Sequence, residues 1–387
     1  YGFDVMDRLT NIVWSGPTGN VLRSFAYSYN AASMITNIAL ETGTSLRYSY
    51  GDLDRLTGEA VVSGPGWQGP TVSSVGYSYD EVGNRLSKTY PAGGTGTNSG
   101  TTVSYEYSNG CNRLTGWTAT SANGFADAVR LDVRGHASEP IVTNPELGQL
   151  WVSNSVAIAP SVSGTNFAAL SVPLGIGTQQ IVAAISDLAG NVGYATNAVV
   201  ITPATNGAYS FNNAGCVTSI SYVGAGVSQS LGLTWNSQYQ LTEATTNGVS
   251  AERYGFDPFG RRAWTAQGTT TNFHAYDGVH CIADLNATGG LLRTYTYGPG
   301  IDNLLAMTVH TGATAKTYFP LTDHLGTVHA LTDETGAVVE SYRFDAWGRV
   351  LGIYDGANQP LTESSVGNRI LWQGREYSWK TGLYYFR

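Results

Sequence analysis

The sequence alternates apolar and polar positions in short runs that are separated by turn residues. Residues 129–134 alternate strictly, and aromatic residues recur two positions apart, as in Tyr77 and Tyr79. Positions i and i+2 of a strand lie on the same face, so each aromatic doublet is expected to project to one side of a sheet. Asp, Gly and Asn follow the doublets and favour tight turns. The pattern predicts an all-β chain of short strands.

One unit recurs along the chain: an aromatic doublet, a turn, and a strand of the Arg-Leu-Thr type. The copies lie about 20 to 30 residues apart, within the range of repeat architectures. A single unit cannot bury its apolar face, so adjacent units are expected to pair and to stack their rings as a ladder. The predicted ladder residues are Tyr1, Phe3, Tyr48, Tyr50, Tyr77, Tyr79, Tyr105, Tyr107, Tyr254, Phe256, Tyr342 and Phe344. The predicted turn residues are Asp4, Asp80, Gly83, Asp257, Gly260, Asp323, His324, Gly326, Asp345 and Gly348.

Composition narrows the classes of function. A length of 387 residues exceeds what one hydrophobic core usually spans, which predicts two or more structural units. Apolar residues make up 42% of the chain, enough for a sizeable core, so we expect a folded protein. The net charge is −8, and no basic stripe is present that would neutralise phosphates, which excludes nucleic acid as a partner. No apolar run has the length of a membrane-spanning helix.

The C-terminal third carries a longer series of motifs in a fixed order. The runs are residues 276–284, 297–306, 318–328, 331–336, 342–348, 373–377 and 381–387. Together with the repeats, this series resembles the YD repeats and the repeat-associated core of Rhs proteins, which are related to the C components of insecticidal toxin complexes and to teneurins. The resemblance implies a β-sheet ribbon that spirals into a hollow shell, here a partial β-cocoon.

In toxin members of this family the shell encloses a polymorphic C-terminal effector, and an aspartyl autoprotease motif beyond the core releases it. The resemblance therefore implies a non-enzymatic scaffold that encapsulates and delivers a toxin, within a large bacterial protein that is secreted or on the cell surface. The implied partners are that effector in cis and other shell or secretion-system components. The chain starts without Met and stops before the autoprotease position, so we expect a fragment. No catalytic, cofactor or metal-binding residue is assigned.

Between residues 125 and 205 the doublets vanish and Ala, Val, Ser and Asn dominate. Short alternating runs predict a β-sandwich here, and residues 177–191 resemble bacterial Ig-like domains. We therefore predict YD repeats at 1–124 and 206–270, an Ig-like insertion at 125–205, and the repeat-associated core, truncated at its C-terminus, at 271–387. The insertion supports an alternative hypothesis, in which it binds a cell-surface protein or glycan and the ribbon serves as a stalk.

Candidate chemistry is sparse. Three cysteines without a CxxC spacing favour buried thiols over a zinc site, and the repeat alignment leaves a disulfide between Cys111 and Cys216 open. Neighbours on a strand point to opposite faces, so Asp323 and His324 are interpreted as a structural turn rather than an acid–base pair. The string 257–260 resembles the autoprotease motif but lies within a repeat, and we interpret it as structural. Residues 187–191 lack the carboxylate density of a calcium site.

Overall fold

The computed structural model describes residues 1–63, 71–91, 100–108, 112–120, 204–224, 227–312 and 314–386, and between 129 and 201 the strand backbones alone. These residues form an all-β protein, which confirms the predicted fold class. The exception among them is one short 3-10 turn, Trp372–Gly374. In the described part of the chain, no helix has the length and apolar character needed to cross a membrane.

One antiparallel sheet of 25 strands forms the ribbon, and each strand pairs with the next along the chain. The first ten strands are β1 (Gly2–Phe3), β2 (Leu9–Ser15), β3 (Val21–Tyr29), β4 (Ile35–Leu40), β5 (Ser45–Tyr50), β6 (Leu56–Val62), β7 (Thr71–Tyr79), β8 (Arg85–Thr89), β9 (Thr102–Tyr107) and β10 (Leu114–Thr120).

The ribbon continues with fifteen strands, β18 to β32. They are β18 (Ala204–Phe211), β19 (Val217–Gly224), β20 (Val227–Trp235), β21 (Leu241–Thr246), β22 (Val249–Phe256), β23 (Arg262–Gln267), β24 (Thr270–Asp277), β25 (His280–Leu285), β26 (Leu291–Tyr297), β27 (Leu304–Thr311), β28 (Thr314–Thr322), β29 (Val328–Thr332), β30 (Val338–Phe344), β31 (Val350–Asp355) and β32 (Pro360–Leu361). Two further short strands, β33 (Glu376–Tyr377) and β34 (Tyr384–Tyr385), pair with each other after the ribbon ends.

Two smaller sheets lie between β10 and β18 in the sequence. One has the strand order β11–β15–β14, and the other has the order β13–β12–β16–β17. Their strands are β11 (Val129–His136), β12 (Gly148–Val152), β13 (Val156–Ile158), β14 (Ser161–Ser163), β15 (Asn166–Leu174), β16 (Gly177–Ser186) and β17 (Val192–Ile201). The Ig-like assignment and the domain boundaries stay predictions, and Cys111 and the loop at 187–191 lie outside the described residues.

The ribbon is continuous across this stretch, because β10 pairs directly with β18 and places Thr118 opposite Asn206. We predict that replacing residues 120–204 by Asn-Gly leaves the ribbon folded, since this dipeptide forms a tight hairpin turn between two paired strands. The free energy of unfolding in urea should change by no more than about 3 kcal/mol, because loop closure changes by only about 0.6 kcal/mol for each doubling of loop length. Precipitation of the shortened chain would contradict this.

A register shift marks the end of many doublet strands. The shift falls between Ser78 and Tyr79 in β7, and at the corresponding step in β3, β5, β22, β24, β26 and β30. An extra residue at such a point bends the strand and increases its right-handed twist. Because the bulge recurs with the repeat, the bends add up along the ribbon and curve it.

The largest cluster of buried apolar side chains lies in the C-terminal third. Met307, Leu331, Tyr342, Ile353 and Leu371 are each at most 2% exposed. Leu371 belongs to the segment 362–386, which follows β32 and packs against the ribbon instead of extending it. We call this part the C-terminal segment.

Candidate functional site

Many of the repeat turns close around the side chain of an Asp or Asn. Asp257 Oδ1 accepts hydrogen bonds from the backbone N–H groups of Phe259 and Arg261, both at 2.9 Å. Asp4, Asp80, Asp323 and Asp345 accept equivalent bonds. The backbone N–H of Arg8 is the main cause that lowers the pKa of the Asp4 carboxyl. The third residue after Asp has positive φ, a conformation that Gly adopts without strain: Gly83, Gly260, Gly326 and Gly348 have φ of 98°, 82°, 76° and 84°.

In three of the predicted doublets the first ring is more buried than the second. The first ring is buried in Tyr77, Tyr254 and Tyr342, at 6%, 3% and 2% exposure. The first rings Tyr48 and Tyr105 and the second rings Tyr50, Tyr79, Tyr107, Phe256 and Phe344 are half-buried.

The first doublet departs from the predicted ladder. Tyr1 is 80% exposed and Phe3 is 62% exposed. Strand β1 has two residues and, among the described strands, pairs with β2 alone, so no described strand covers these rings from the other side.

A hydroxyl contact that the sequence reasoning missed explains why Tyr is frequent at the second position. Tyr79 donates to the carbonyl of Leu56, at the start of the preceding strand, at 2.7 Å. Trp235 fills the same role through its indole N–H, which donates to the carbonyl of Val217 at 2.6 Å. The other donors of this kind are Tyr29, Tyr50, Tyr107 and Tyr276.

We predict that Tyr79→Phe costs about 1 kcal/mol of unfolding free energy, because it removes this hydrogen bond and keeps the ring. Urea unfolding followed by fluorescence measures the loss. Tyr239→Phe is the matched control, since Tyr239 lies in a turn and is 64% exposed. Equal stability of the two variants would contradict a role of the hydroxyl in joining adjacent strands.

The ribbon contacts itself across long sequence distances. Trp14 Nε1 donates to the carbonyl of Thr322 at 2.9 Å, although the two residues lie 308 positions apart. The ring of Tyr27 packs against His324, with 4.9 Å between centroids. Phe25 packs against His329 at 5.0 Å. Strands β2 and β3 therefore lie against the turn that follows β28.

A second self-contact joins β6, β7 and β8 to the turn that follows β30. The Trp347 ring packs edge-on against Tyr77 with 5.8 Å between centroids. The guanidinium of Arg85 lies 4.9 Å from the centroid of the same indole ring. Glu59 Oε2 accepts the backbone N–H of Ala346 at 2.9 Å. The turns that follow β28 and β30 thus cover the face of the early part of the ribbon.

Asp323 pairs with His329 and not with His324, its neighbour in the sequence. Its Oδ2 lies 3.1 Å from Nε2 of His329, which is six residues away across the turn. Burial would raise the pKa of Asp323, but the contact with His329 outweighs it, and the pKa is lowered. Burial lowers the pKa of His324. Asp323 therefore caps a turn, and His329 contacts its second carboxylate oxygen.

The C-terminal segment is held by a buried cluster of charges on β24 and β25. Arg369 Nη2 donates to Asp284 Oδ1 at 2.7 Å, and Arg369 also pairs with Glu376. His274 Nδ1 lies 2.7 Å from Asp284 Oδ1, and Tyr295 donates its hydroxyl to Asp284 Oδ2 at 2.7 Å. The Asp284 side chain is 2% exposed. We call these five residues the Asp284 cluster.

Burial alone would raise the pKa of Asp284, yet Arg369 and His274 lower it overall. A carboxylate with a lowered folded-state pKa stabilises the fold above its unfolded pKa of about 4 and loses that contribution as the pH falls further. We predict that the unfolding free energy falls below about pH 4 in the natural chain and that Asp284→Asn reduces this slope. Urea unfolding between neutral and acidic pH measures it, and equal slopes would contradict the assignment.

A second anchor of the segment is the carboxylate of Glu340, which is fully buried. Glu340 Oε1 accepts the hydroxyl of Ser365 at 2.6 Å, and Oε2 accepts the hydroxyls of Ser364 at 2.7 Å and Tyr342 at 2.6 Å. Farther along, Arg375 pairs with Asp302 at 3.0 Å. These contacts reach from the turn before β27 to β30, so the segment links several parts of the ribbon.

A cleft of about 600 Å³ adjoins the Asp284 cluster, and Arg262, Arg293, His274 and Glu363 are among its lining residues. His274, Cys281 and Asp284 bring ligand-type atoms within 4.8 Å of one another. They do not fit a metal, because Arg369 Nη2 already lies 3.3 Å from Cys281 Sγ and 2.7 Å from Asp284. Burial also raises the pKa of the Cys281 thiol to about 12, whereas a metal needs the thiolate. Cys216 and Cys281 are free thiols.

Comparison with known proteins agrees with this geometry. Residues 193–355 match the family model of the teneurin YD-shell. This match confirms the resemblance to YD-repeat proteins that the sequence predicts.

The curated relatives are much longer than this chain, which matches only 6% to 13% of their length. The tRNA3(Ser)-specific nuclease WapA of Bacillus spizizenii is 31% identical over 159 residues, which are 39% of this chain and 6% of that protein. The tRNA nuclease WapA of Bacillus subtilis strain 168 is 30% identical over the same length and coverage. Double-stranded DNA deaminase toxin A of Burkholderia cenocepacia is 26% identical over 187 residues, 41% of this chain and 13% of that protein.

Solved structures of similar chains include the TcdB2-TccC3-Cdc42 crystal structure and the Photorhabdus luminescens Tc holotoxin pore. The first has a TM-score of 0.37 and 14% identity, with coverage of 97% of this chain and 18% of that one. The second has the same TM-score and identity, with coverage of 100% and 19%. A TM-score of this size does not establish that two chains share a fold. The fold of this chain is therefore assigned from the strand pairing of its own ribbon.

Proposed function

We propose that this chain is a non-enzymatic segment of a YD-repeat shell, which encloses and delivers an effector domain of the same polypeptide. The observation that carries the proposal is the ribbon's contact with itself, from Trp14 to Thr322 and from Tyr77 to Trp347. A sheet that curves until distant strands touch forms a wall rather than an extended stalk. The toxin and nuclease names of the relatives favour a toxin as the enclosed domain.

The proposal extends to location and domain layout. We place the parent protein outside the bacterial cell or on its surface, as expected of a delivered toxin. Within the chain, we propose that 1–124, 206–270 and 271–387 build the wall and that 125–205 is an insertion outside it. The direct pairing of β10 with β18 supports this layout, because it leaves the strands between them out of the ribbon.

Protease protection tests enclosure. The natural polypeptide is treated with protease, and we expect the effector part to survive. When the ribbon is first unfolded in urea, the protease should cleave the effector part. Trp347→Ala should increase the cleavage rate several-fold by weakening a contact between ribbon turns. Phe259→Ala is the matched control, because Phe259 occupies the same position of its repeat turn but is 83% exposed. Rapid cleavage of the effector in the unmodified protein would overturn the proposal.

The alternative function, recognition by the insertion, rests on its two sheets being separate from the ribbon. The chain with Asn-Gly in place of residues 120–204 distinguishes the two functions. If the effector of the shortened chain stays protected from protease and binding to target cells is unchanged, the result supports enclosure alone. Lost cell binding with retained protection assigns recognition to the insertion.

A further inference from the structure

Lys88 is the buried lysine of this chain, whereas Lys316 is exposed and Lys380 is half-buried. Its side chain is 8% exposed, and that of Asp345 opposite is 9% exposed. The two residues lie 257 positions apart, and Lys88 Nζ stands 3.4 Å from Asp345 Oδ2. Since a carboxyl C–O bond is about 1.2 Å long, this contact places Nζ within about 5 Å of Asp345 Cγ, the carbon that an amine would attack.

The surroundings of Lys88 disfavour the charged form of its amine. Its Nζ lies 5.3 Å from the ring centroid of Tyr90 and 6.0 Å from that of Tyr77. Burial in this environment lowers the pKa of Lys88. A desolvated lysine with a lowered pKa is a better nucleophile, because a larger fraction carries a free electron pair.

The carboxyl group of Asp345 is arranged for attack at its carbon. Oδ1 accepts the backbone N–H groups of Trp347 and Arg349, each at 3.0 Å. Two such donors on one oxygen stabilise the negative charge that develops there when a nucleophile adds. The other oxygen, Oδ2, faces Lys88 and lies 3.5 Å from Arg349 Nε.

A second carboxyl group lies beside the pair. Glu59 Oε1 accepts the hydroxyl of Tyr77 at 2.5 Å, and Oε2 accepts the N–H of Ala346, the residue after Asp345. Its charge acts on Lys88 as well. Glu59 thus stands between the lysine's ring partner and the turn that holds Asp345.

We propose that Lys88 and Asp345 form an intramolecular isopeptide bond. The ammonium gives one proton to Oδ2, which leaves an amine and a carboxylic acid. The amine nitrogen then bonds to Cγ, the bond from Cγ to Oδ2 breaks, and a second proton passes from nitrogen to that oxygen by way of Glu59. The products are one amide and one water, so no oxidant, reductant or activated donor is needed.

Such a bond joins β8 to the turn that follows β30, at the second self-contact of the ribbon. It converts a non-covalent contact between ribbon turns into a covalent one and closes a loop of more than 250 residues. This goes beyond the proposed function, because a closed ribbon need not enclose anything.

Peptide mapping tests the bond. The natural polypeptide is denatured and digested with trypsin, which cannot cut after an acylated lysine. We expect a branched peptide that joins residues 86–113 to residues 344–349 and is lighter than their sum by one water. Recovery of free peptides 86–88 and 344–349 alone, with the branched product undetected, overturns the proposal. Enclosure is measured separately by protease protection, so the two can fail independently.

Variants identify the reacting groups. Lys88→Met abolishes the branched peptide, and Asp345→Asn replaces the loss of water by a loss of ammonia or abolishes the bond. Glu59→Gln is expected to slow bond formation at least tenfold, and an unchanged rate overturns the role of Glu59. Lys380→Met is the matched control, because Lys380 forms a more exposed pair with Glu363 at 2.9 Å and should leave the branched peptide unchanged.

Discussion

Replacing Arg369 by Met is expected to destabilise the C-terminal third of the ribbon by about 3–5 kcal/mol. The substitution keeps much of the apolar volume but leaves Asp284 and Glu376 without their shared cation. Asp284 is 2% exposed, so water cannot replace the guanidinium without opening the packing of the segment. Unfolding in urea, followed by tryptophan fluorescence, measures the effect.

The matched control is Lys380→Met, which removes a cation from the same segment at a more exposed pair. The carboxylate partner there, Glu363, is 45% exposed, and such a pair contributes less than about 1 kcal/mol. The double variant Arg369→Met with Asp284→Asn should recover part of the loss, because it removes a buried charge that has lost its guanidinium partner. A single variant as stable as the Lys380 control would mean that the Asp284 cluster does not hold the segment.

The sequence predicts the local unit well because that unit is set by neighbouring residues. An Asp that accepts N–H groups two and four positions ahead, with Gly in the left-handed region, depends on five consecutive residues such as those from Asp257 to Arg261. The order of the repeats then predicts consecutive antiparallel pairing. Strands joined by short turns have little choice of partner.

The local repeat pattern does not predict which distant residues come into contact. Asp284 follows the apolar residues 281–283 in its strand, and its partner Arg369 comes 85 positions later in a stretch without the repeat motif. Asp323 likewise contacts His329, not the adjacent His324 that the sequence highlights. The available signal was an ionisable residue at an apolar strand position, since burial of a charge requires a partner.

The bulge at the second aromatic position was missed for a similar reason. The alternation rule predicts that both rings of a doublet lie on one face, but it assumes an uninterrupted register. The shift between Ser78 and Tyr79 breaks that register and directs the hydroxyl of Tyr79 to the preceding strand. Period-two reasoning therefore locates the doublet correctly and describes its second member only in part.

Tyr342 and Tyr1 each begin an aromatic doublet, but we expect their removal to differ greatly in its effect on the unfolding free energy. Tyr342→Ala should destabilise the ribbon by about 3–5 kcal/mol, because a ring that is 2% exposed leaves a cavity in the core cluster. The change also removes the hydroxyl that donates to Glu340 at 2.6 Å, so a buried carboxylate loses one of its donors. Tyr342→Phe separates the two contributions, since it keeps the ring and should cost about 1–2 kcal/mol.

Tyr1→Ala is the matched control, because Tyr1 also begins an aromatic doublet but is 80% exposed. Its loss should change the unfolding free energy by less than about 0.5 kcal/mol, as is usual for an exposed side chain. Urea unfolding of the three variants beside the natural chain gives the comparison. If Tyr1→Ala were as damaging as Tyr342→Ala, the doublet motif itself would determine stability. The expected contrast would show instead that a doublet stabilises the ribbon only where strands and the C-terminal segment bury its first ring.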